Sequence, residues 1–354
     1  MNFIKKFFLG LSRLVYFLVP ISLIFACFVT LCYENVLSLV LSVGLPGIVV
    51  LNVIIFIYLA LRKRKQAVFV LLALVVYGFT HVSFFKFNFN FNENVELVDT
   101  MSILTFNVRS AGGAGHTSDR DRDQRKVRIE TMSAFVKNQN ADIVMFQEFW
   151  SADVKDFPNY PYTFLGQRKG IGKSIQVILS KFPIVNKGYV DFPNTANNAM
   201  YADIQYKNEI IRVYSIHLQS FSVEIDSNFF TENGLKAVYP KIDKGQKMKS
   251  AQTELLQESF QEFNGRSIVC GDFNATPFSK TYKTISKDRQ DSFLEAGSGF
   301  GETYNLLGYP MRLDYILPDA NFEVIAHKNF NLKLSDHEPI LVYLKLKTVH
   351  DIRS

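Results

Sequence analysis

Three uncharged apolar runs fill most of the first quarter of this 354-residue chain and limit what that part can become. They cover residues 14–32, 36–61 and 67–85. Each reaches the roughly 20 apolar residues that a helix needs to cross a hydrocarbon layer. The second is interrupted by Gly44, Pro46 and Gly47. A signal peptide followed by buried core helices would show similar runs. Three nearly consecutive runs without a small-residue cleavage pattern read instead as three transmembrane helices.

Charge orients them. Lys5, Lys6 and Arg13 precede the first run, and Arg62-Lys63-Arg64-Lys65 separates the second from the third. Only Tyr33, Glu34 and Asn35 join the first two. Basic loops stay in the cytoplasm, so three crossings place everything after Phe85 outside; Lys86 alone opposes this. The protein is expected in a bacterial inner membrane with its soluble part on the periplasmic side. The same loops account for most of the net charge of +6. Residues 1–97 hold eight Lys and Arg against three acids, leaving 31 basic and 30 acidic residues beyond. The excess is thus mostly a topology signal rather than a nucleic-acid footprint, with room left for a local basic patch. Cys27 and Cys32 lie in the first run and Cys270 in a predicted strand, too few and too placed for a disulfide framework.

Residues 1–86 are therefore a membrane region, 87–99 a linker and 100–348 one soluble domain. Short apolar runs recur in the latter at 102–108, 141–146, 174–179, 200–206, 210–218, 268–272, 312–317, 322–326 and 338–346. Apolar spacing predicts helices at 126–138 and 251–263. The Gly-rich polar segment 110–125 and the long stretch 221–249 are expected to be loops. Short strands with few helices point to an α/β sandwich of packed sheets.

The strands end in polar residues. Ser267–Cys270 runs into Gly271-Asp272-Phe273-Asn274. Asp272 and Asn274 are at strand spacing, so both side chains can leave the strand end on one side. A carboxylate and an amide there could orient a water or a phosphate oxygen; an Asx-capped turn would use the same residues. His217 lies near the end of its strand, Gln147-Glu148 follows another, and Ser335-Asp336-His337 precedes the last.

Five stretches occur in one order: TFNVRS (105–110), FQEFW (146–150), SIHL (215–218), GDFNATP (271–277), and RLDYIL (312–317) followed by SDHEPI (335–340). Together they resemble the endonuclease/exonuclease/phosphatase superfamily, the fold of pancreatic deoxyribonuclease, over residues 101–346. GFGETY (299–304) also resembles the stretch preceding the Asp-bearing strand in bacterial members. The resemblance implies a four-layer sandwich of two mixed β-sheets with outer helices, here preceded by the all-α transmembrane region. It implies that Glu148 ligates a divalent cation, Mg²⁺ or alternatively Mn²⁺, with Asn107 beside it and Asp336 completing or supporting the shell. His337 would be the catalytic histidine, with Asp314 holding its ring. His217 would bind or protonate a phosphate oxygen, and Asp272 and Asn274 would orient the attacking water and the phosphate. Asp272 and His337 both have claims to activate that water. Some nucleases of the family carry an acid two residues after the first Asn; Arg109 stands there, so a second metal is not expected. Mg²⁺ prefers hard oxygens and only one or two carboxylates.

The expected function is a membrane-anchored, Mg²⁺-dependent phosphoester hydrolase cleaving phosphodiester bonds with activated water. Its substrate would be nucleic acid, or else a lipid headgroup or small phosphoester; an inactive membrane scaffold is the remote alternative. Nothing in the sequence calls for an obligate protein partner.

Overall fold

A computed structural model describes residues 3–87, 97–109, 119–149, 151–166, 175–221 and 231–347. Most of the expected linker (88–96) and Gly-rich loop (110–118), and the basic stretch Arg168, Lys169 and Lys173, lie outside the described residues. The chain forms two compact units. The first comprises Met1–Phe84, Phe221–Ser250 and Thr276–Thr284; the second comprises Phe85–Ser220, Ala251–Ala275 and Ile285–Ser354.

The first unit opens with α1 (Phe3–Cys32), α2 (Val36–Leu61) and α3 (Gln66–Thr80). The tight turn before α2 is fixed by Asn35, whose side chain accepts from the Ser38 amide at 2.9 Å while Ser38 Oγ accepts from the Asn35 amide at 2.9 Å. This reciprocal box satisfies two otherwise orphaned donors. Leu23, Ala26, Cys27, Leu45, Val49 and Ala73 bury together, joined by Phe278 from a later segment. The outer faces leave Phe25, Phe28, Val40, Ile54 and Leu72 exposed.

Two stretches, Leu14–Cys32 and Val36–Leu61, are long and apolar enough to span a membrane. The third expected span, 67–85, is helical only as α3, which has 15 residues. At 1.5 Å per residue it covers about 22 Å, short of the hydrocarbon core. It stops because His81 turns extended (φ −129°, ψ 154°). The His81 ring is held instead by Thr80 Oγ1 at 2.9 Å and by Thr30 Oγ1 of α1 at 3.0 Å.

In the second unit the elements run β1 (Thr100–Asn107), α4 (Asp119–Gln139), β2 (Ile143–Gln147), β3 (Tyr162–Gly166), β4 (Gln176–Ser180), β5 (Ile184–Val190), β6 (Asn198–Tyr206) and β7 (Glu209–His217). Helix α5 (Glu232–Gln261), whose first part belongs to the first unit, leads to β8 (Arg266–Asp272). Then come α6 (Lys280–Ile285), which belongs to the first unit up to Thr284, and, in the second unit, α7 (Ser292–Ala296), β9 (Tyr304–Leu306), β10 (Tyr309–Met311), β11 (Asp314–Pro318), β12 (Phe322–Asn329) and β13 (Ile340–Leu346). Two mixed sheets result, ordered β12-β13-β1-β2-β4-β3 and β11-β8-β7-β6-β5, with β9 and β10 as a separate hairpin. The α/β sandwich read from the sequence is the observed fold.

Strand alternation explains the layers. Ile103, Ile143, Met145 and Ile178 of the first sheet bury with Met200, Ala202, Val213, Ile268 and Cys270 of the second. The neighbouring Leu104, Phe106, Val144, Phe146 and Leu179 face the other way, against Ile129, Met132 and Val136 of α4.

Two helices start earlier than expected. Helix α4 begins at Asp119, inside the presumed loop, because the Asp–Arg run lacks any Gly or Pro to stop it. Helix α5 begins at Glu232 rather than 251 despite Pro240 in its interior. Strand β5 was hidden from the pattern because most of its residues are at least partly exposed, as on an edge strand.

His327 on β12 is buried, with Nδ1 3.0 Å from Ser292 Oγ and Nε2 3.2 Å from Asn329 Oδ1. Desolvation lowers its pKa to about 4. The unfolded chain therefore binds this proton more tightly, and stability is full above about pH 6.5 and falls as pH drops toward 4. His327→Gln should flatten that acid-side decline, measured as a smaller Tm difference between pH 7.5 and pH 5 than in the parent.

Candidate active site

The hydrogen-bond register assembles the site before any side chain is considered. In the five-stranded sheet Asn198 pairs with His217, His217 with Asp272, and Asp272 with Asp314. These residues form one row across β6, β7, β8 and β11. In the other sheet Asn107 pairs with Gln147, so Glu148 leaves the next position. Gly271 makes the row close-packed: a Cβ there would lie 2.1 Å from the Ile216 carbonyl oxygen, at φ +124°. Glu148, Arg109 and Asn274 follow their strands with φ of 50°, 42° and 46°. Such left-handed backbone in residues other than glycine is costly and concentrates at functional sites.

Asp272 is the meeting point. Its Oδ1 accepts from the Asn274 amide at 2.7 Å. Its Oδ2 accepts from Asn107 Nδ2 at 3.0 Å and Asn274 Nδ2 at 3.1 Å. His337 Nε2 lies 3.7 Å and His217 Nε2 3.9 Å from the same oxygen. Asn107 Nδ2 also reaches Glu148 Oε1 at 3.2 Å, and His217 Nε2 is 3.5 Å from that oxygen. All expected residues except Asp336 are thus joined directly. Asp336 connects through Arg109, whose Nη1 donates to its Oδ2 at 2.9 Å while the Arg109 amide donates to Asn107 Oδ1 at 3.1 Å.

Asp314 and His337 form a buried pair, Oδ2 to Nδ1 2.8 Å. Burial pushes the Asp314 carboxyl up to about 6, although His337 pulls it down. Burial also opposes charge on His337, but Asp314 and then Asp272 outweigh it and lift its pKa to about 10. An imidazole between two carboxylates holds its proton. His217 is different: it is buried and neither ring nitrogen has a hydrogen-bond partner among the described residues. A buried polar group left unpaired is costly; the nearest acidic oxygens to its Nε2 are Glu148 Oε1 at 3.5 Å and Asp272 Oδ2 at 3.9 Å.

The donor set suits a hard divalent cation. Asp272, Asp314 and His337 present ligand atoms within 4.8 Å of one another. The ring nitrogen of His337 nearest Asp314 is already engaged, however, and both Asp272 oxygens accept hydrogen bonds. The accessible carboxylate is Glu148, 35% exposed. Glu148, with Asp336 also 32% exposed, offers the few carboxylate oxygens that Mg²⁺ takes while keeping its waters; Asn107 presents its Nδ2 to Glu148.

Thr303 and Tyr304 were not picked out as site residues. The buried hydroxyl of Thr303 accepts from the amides of Leu313 at 3.0 Å and Asp314 at 3.1 Å, fixing where Asp314 starts. The Tyr304 ring lies 4.9 Å from the His337 ring. The only signal was their place at the end of GFGETY. Behind the site, Gln147 donates to Thr105 Oγ1 and Ser215 Oγ, each at 3.1 Å, and Ser215 donates to Gln176 Oε1 at 2.7 Å. This buried polar chain links the two sheets under the His217–Asp272–Asp314 row. Beside Asp336 lies a cleft of about 780 Å³, lined by Phe300, Glu302, Phe330, Lys333 and Glu338 among others.

Residues 104–337 match the family described as Endonuclease/Exonuclease/phosphatase. Among solved structures, an endonuclease/exonuclease/phosphatase family protein from Bacteroides thetaiotaomicron superposes with a TM-score of 0.53 at 18% identity, over 70% of this chain and 98% of its own. A mannosyl-6-phosphatase from the same species gives 0.52 at 19%, over 69% and 99%. A humanized TDP2 from D. rerio gives 0.51 at 16%, over 70% and 99%. At these identities the likeness concerns the fold. A comparison with curated proteins gave no match.

Replacing Thr303 by Val should leave two buried amides without an acceptor, costing about 1–3 kcal/mol. Thermal unfolding should show that loss, and Thr303→Ser should restore most of it.

Proposed function

Because the chain belongs to the endonuclease/exonuclease/phosphatase family, whose members hydrolyse phosphoesters, we propose that it is a membrane-anchored, Mg²⁺-dependent phosphodiesterase acting outside the cytoplasm. The observation that carries this reading is the convergence of Asn107, Glu148, His217, Asp272 and His337 at one sheet edge. Glu148 would hold the cation, with Asn107 beside it and Asp336 in support. When bound, the ion neutralises charge on the phosphoryl oxygens and positions substrate.

The chain's own groups divide the remaining work. Asp272, held by Asn107 and Asn274, orients the attacking water and accepts its proton. His337, kept protonated by Asp314 and Asp272, stabilises negative charge on the phosphoryl group. His217, its ring nitrogens unpaired, receives a second phosphoryl oxygen. Arg109 holds Asp336 and stands at the mouth, with its side chain 62% exposed.

The cleft beside Asp336 favours a small or lipid phosphoester over a polynucleotide. Glu302, Asp336 and Glu338 line it against one cation, Lys333. A long polyanion would be repelled along that wall. Membrane attachment is supported by two apolar helices of spanning length, and the external orientation by the basic residues flanking them. External placement requires a third crossing, in which the residues after Thr80 add the length that α3 lacks.

Full-length protein in detergent should cleave a chromogenic phosphodiester with Mg²⁺ and lose activity in EDTA. His337→Ala should cost about 10²–10⁴-fold in kcat. Faster cleavage of DNA or RNA than of small phosphodiesters or phospholipid would overturn the substrate assignment. No turnover of any phosphoester would favour a scaffold.

A further inference from the structure

The first half of α5 carries a stripe that the hydrolytic site does not use. Leu235, Val238, Tyr239, Ile242, Gln246 and Lys249 recur at helical spacing and share one face. At its lower end the stripe is covered by protein of the same unit. Gln246 is buried and donates to the Asn35 carbonyl at 3.2 Å, and Lys249 is buried with its ammonium 4.3 Å from the Phe221 ring centre. At its upper end the same stripe is uncovered: Leu235 is 51% and Tyr239 59% exposed.

The point of attachment matters. Asn35 caps α2 in the three-residue turn between the two spanning helices. Thr281 donates to Glu34 of that turn at 2.6 Å, and Phe278 buries in the helical cluster. Under the proposed topology this turn lies at headgroup depth on the outer face.

Charge accompanies the apolar stripe. Lys236, Lys241, Lys244 and Lys247 are exposed along the helix, and Lys283 is exposed in the neighbouring segment. Residues 232–250 hold five lysines and two acids, and 276–284 two lysines and no acid, a balance of +5. Both acids nearest the anchor are engaged, Asp243 with Lys247 at 2.7 Å and Glu34 with Thr281. A basic helix with Leu and Tyr on one face is built to lie at an interface, its lysine stems over apolar surface and its ammonium groups among phosphates.

We propose that the first half of α5 rests on the outer leaflet and binds anionic phospholipid headgroups. This rests on the membrane reading above. A bilayer surface fits because it supplies both parts of the complement, acyl chains for Leu235 and Tyr239 and phosphate charge for the lysines.

The test uses the full chain carrying Tyr239→Trp, reconstituted in nanodiscs of brominated phosphatidylcholine with or without brominated phosphatidylglycerol. Emission is compared with that of the parent protein, whose only tryptophan is Trp150. The added tryptophan should be quenched at least about twofold more strongly in the anionic discs. Lys236→Gln, Lys241→Gln, Lys244→Gln and Lys247→Gln combined should abolish that difference while leaving chromogenic phosphodiesterase activity unchanged, which also reports that the variant is folded. Equal quenching in both discs overturns headgroup recognition. An unquenched tryptophan in protein that is incorporated overturns the lipid contact, and binding of labelled polyglutamate by those discs would assign the lysines to an acidic protein partner. Protein that never enters the discs removes the membrane reading itself, a result separable from the others.

Discussion

A single buried carboxylate holds the candidate site together. Asp272 accepts from Asn107 in the opposite sheet and twice from Asn274 in its own turn, and two histidines approach it. Removing those donors would leave a charge stranded in the interior at a large cost. The donors therefore serve two ends: they stabilise the anion and they fix the spacing between the sheets at the point where chemistry is proposed. The left-handed residues Arg109, Glu148 and Asn274 each lie within two residues of a strand end, where hydrogen bonds to Asn107 and Asp272 hold them.

The second constraint lies one layer deeper. Gln147, Thr105, Ser215 and Gln176 bond across the sandwich, where apolar packing would otherwise suffice. Apolar contacts are non-directional and allow small slides. A satisfied polar chain admits only one alignment. It sits one position before Glu148 and two before His217, so alignment there becomes alignment of the site.

Much of this was readable because the chemistry sits where strands stop. Asn107, His217, Asp272 and Asp314 end or begin apolar runs, and the ordered motifs carry the family. Less was readable where tertiary contacts decide. Thr303 acts through its hydroxyl on two amides far ahead in the fold, and no local pattern announces it. Arg109 stands out as a departure, but its ion pair with Asp336 bridges a sequence separation of 227. The start of α5 was missed because Pro240 argues against a helix and only the packing of Gln246 and Lys249 supports one. The end of α3 was missed because hydropathy continues through 81–85 after the hydrogen-bond ladder has ceased.

The helical unit gathers three separate stretches, the last of which begins two residues after Asn274. The helical unit is thus assembled partly from stretches that interrupt the sandwich in sequence rather than from one N-terminal segment alone. Severing the polypeptide between the helices and the sandwich would leave Phe278 and its neighbours still lodged among the apolar helices. If the helices lie in a bilayer as proposed, a single cut in the backbone between α3 and β1 would not free the sandwich from it.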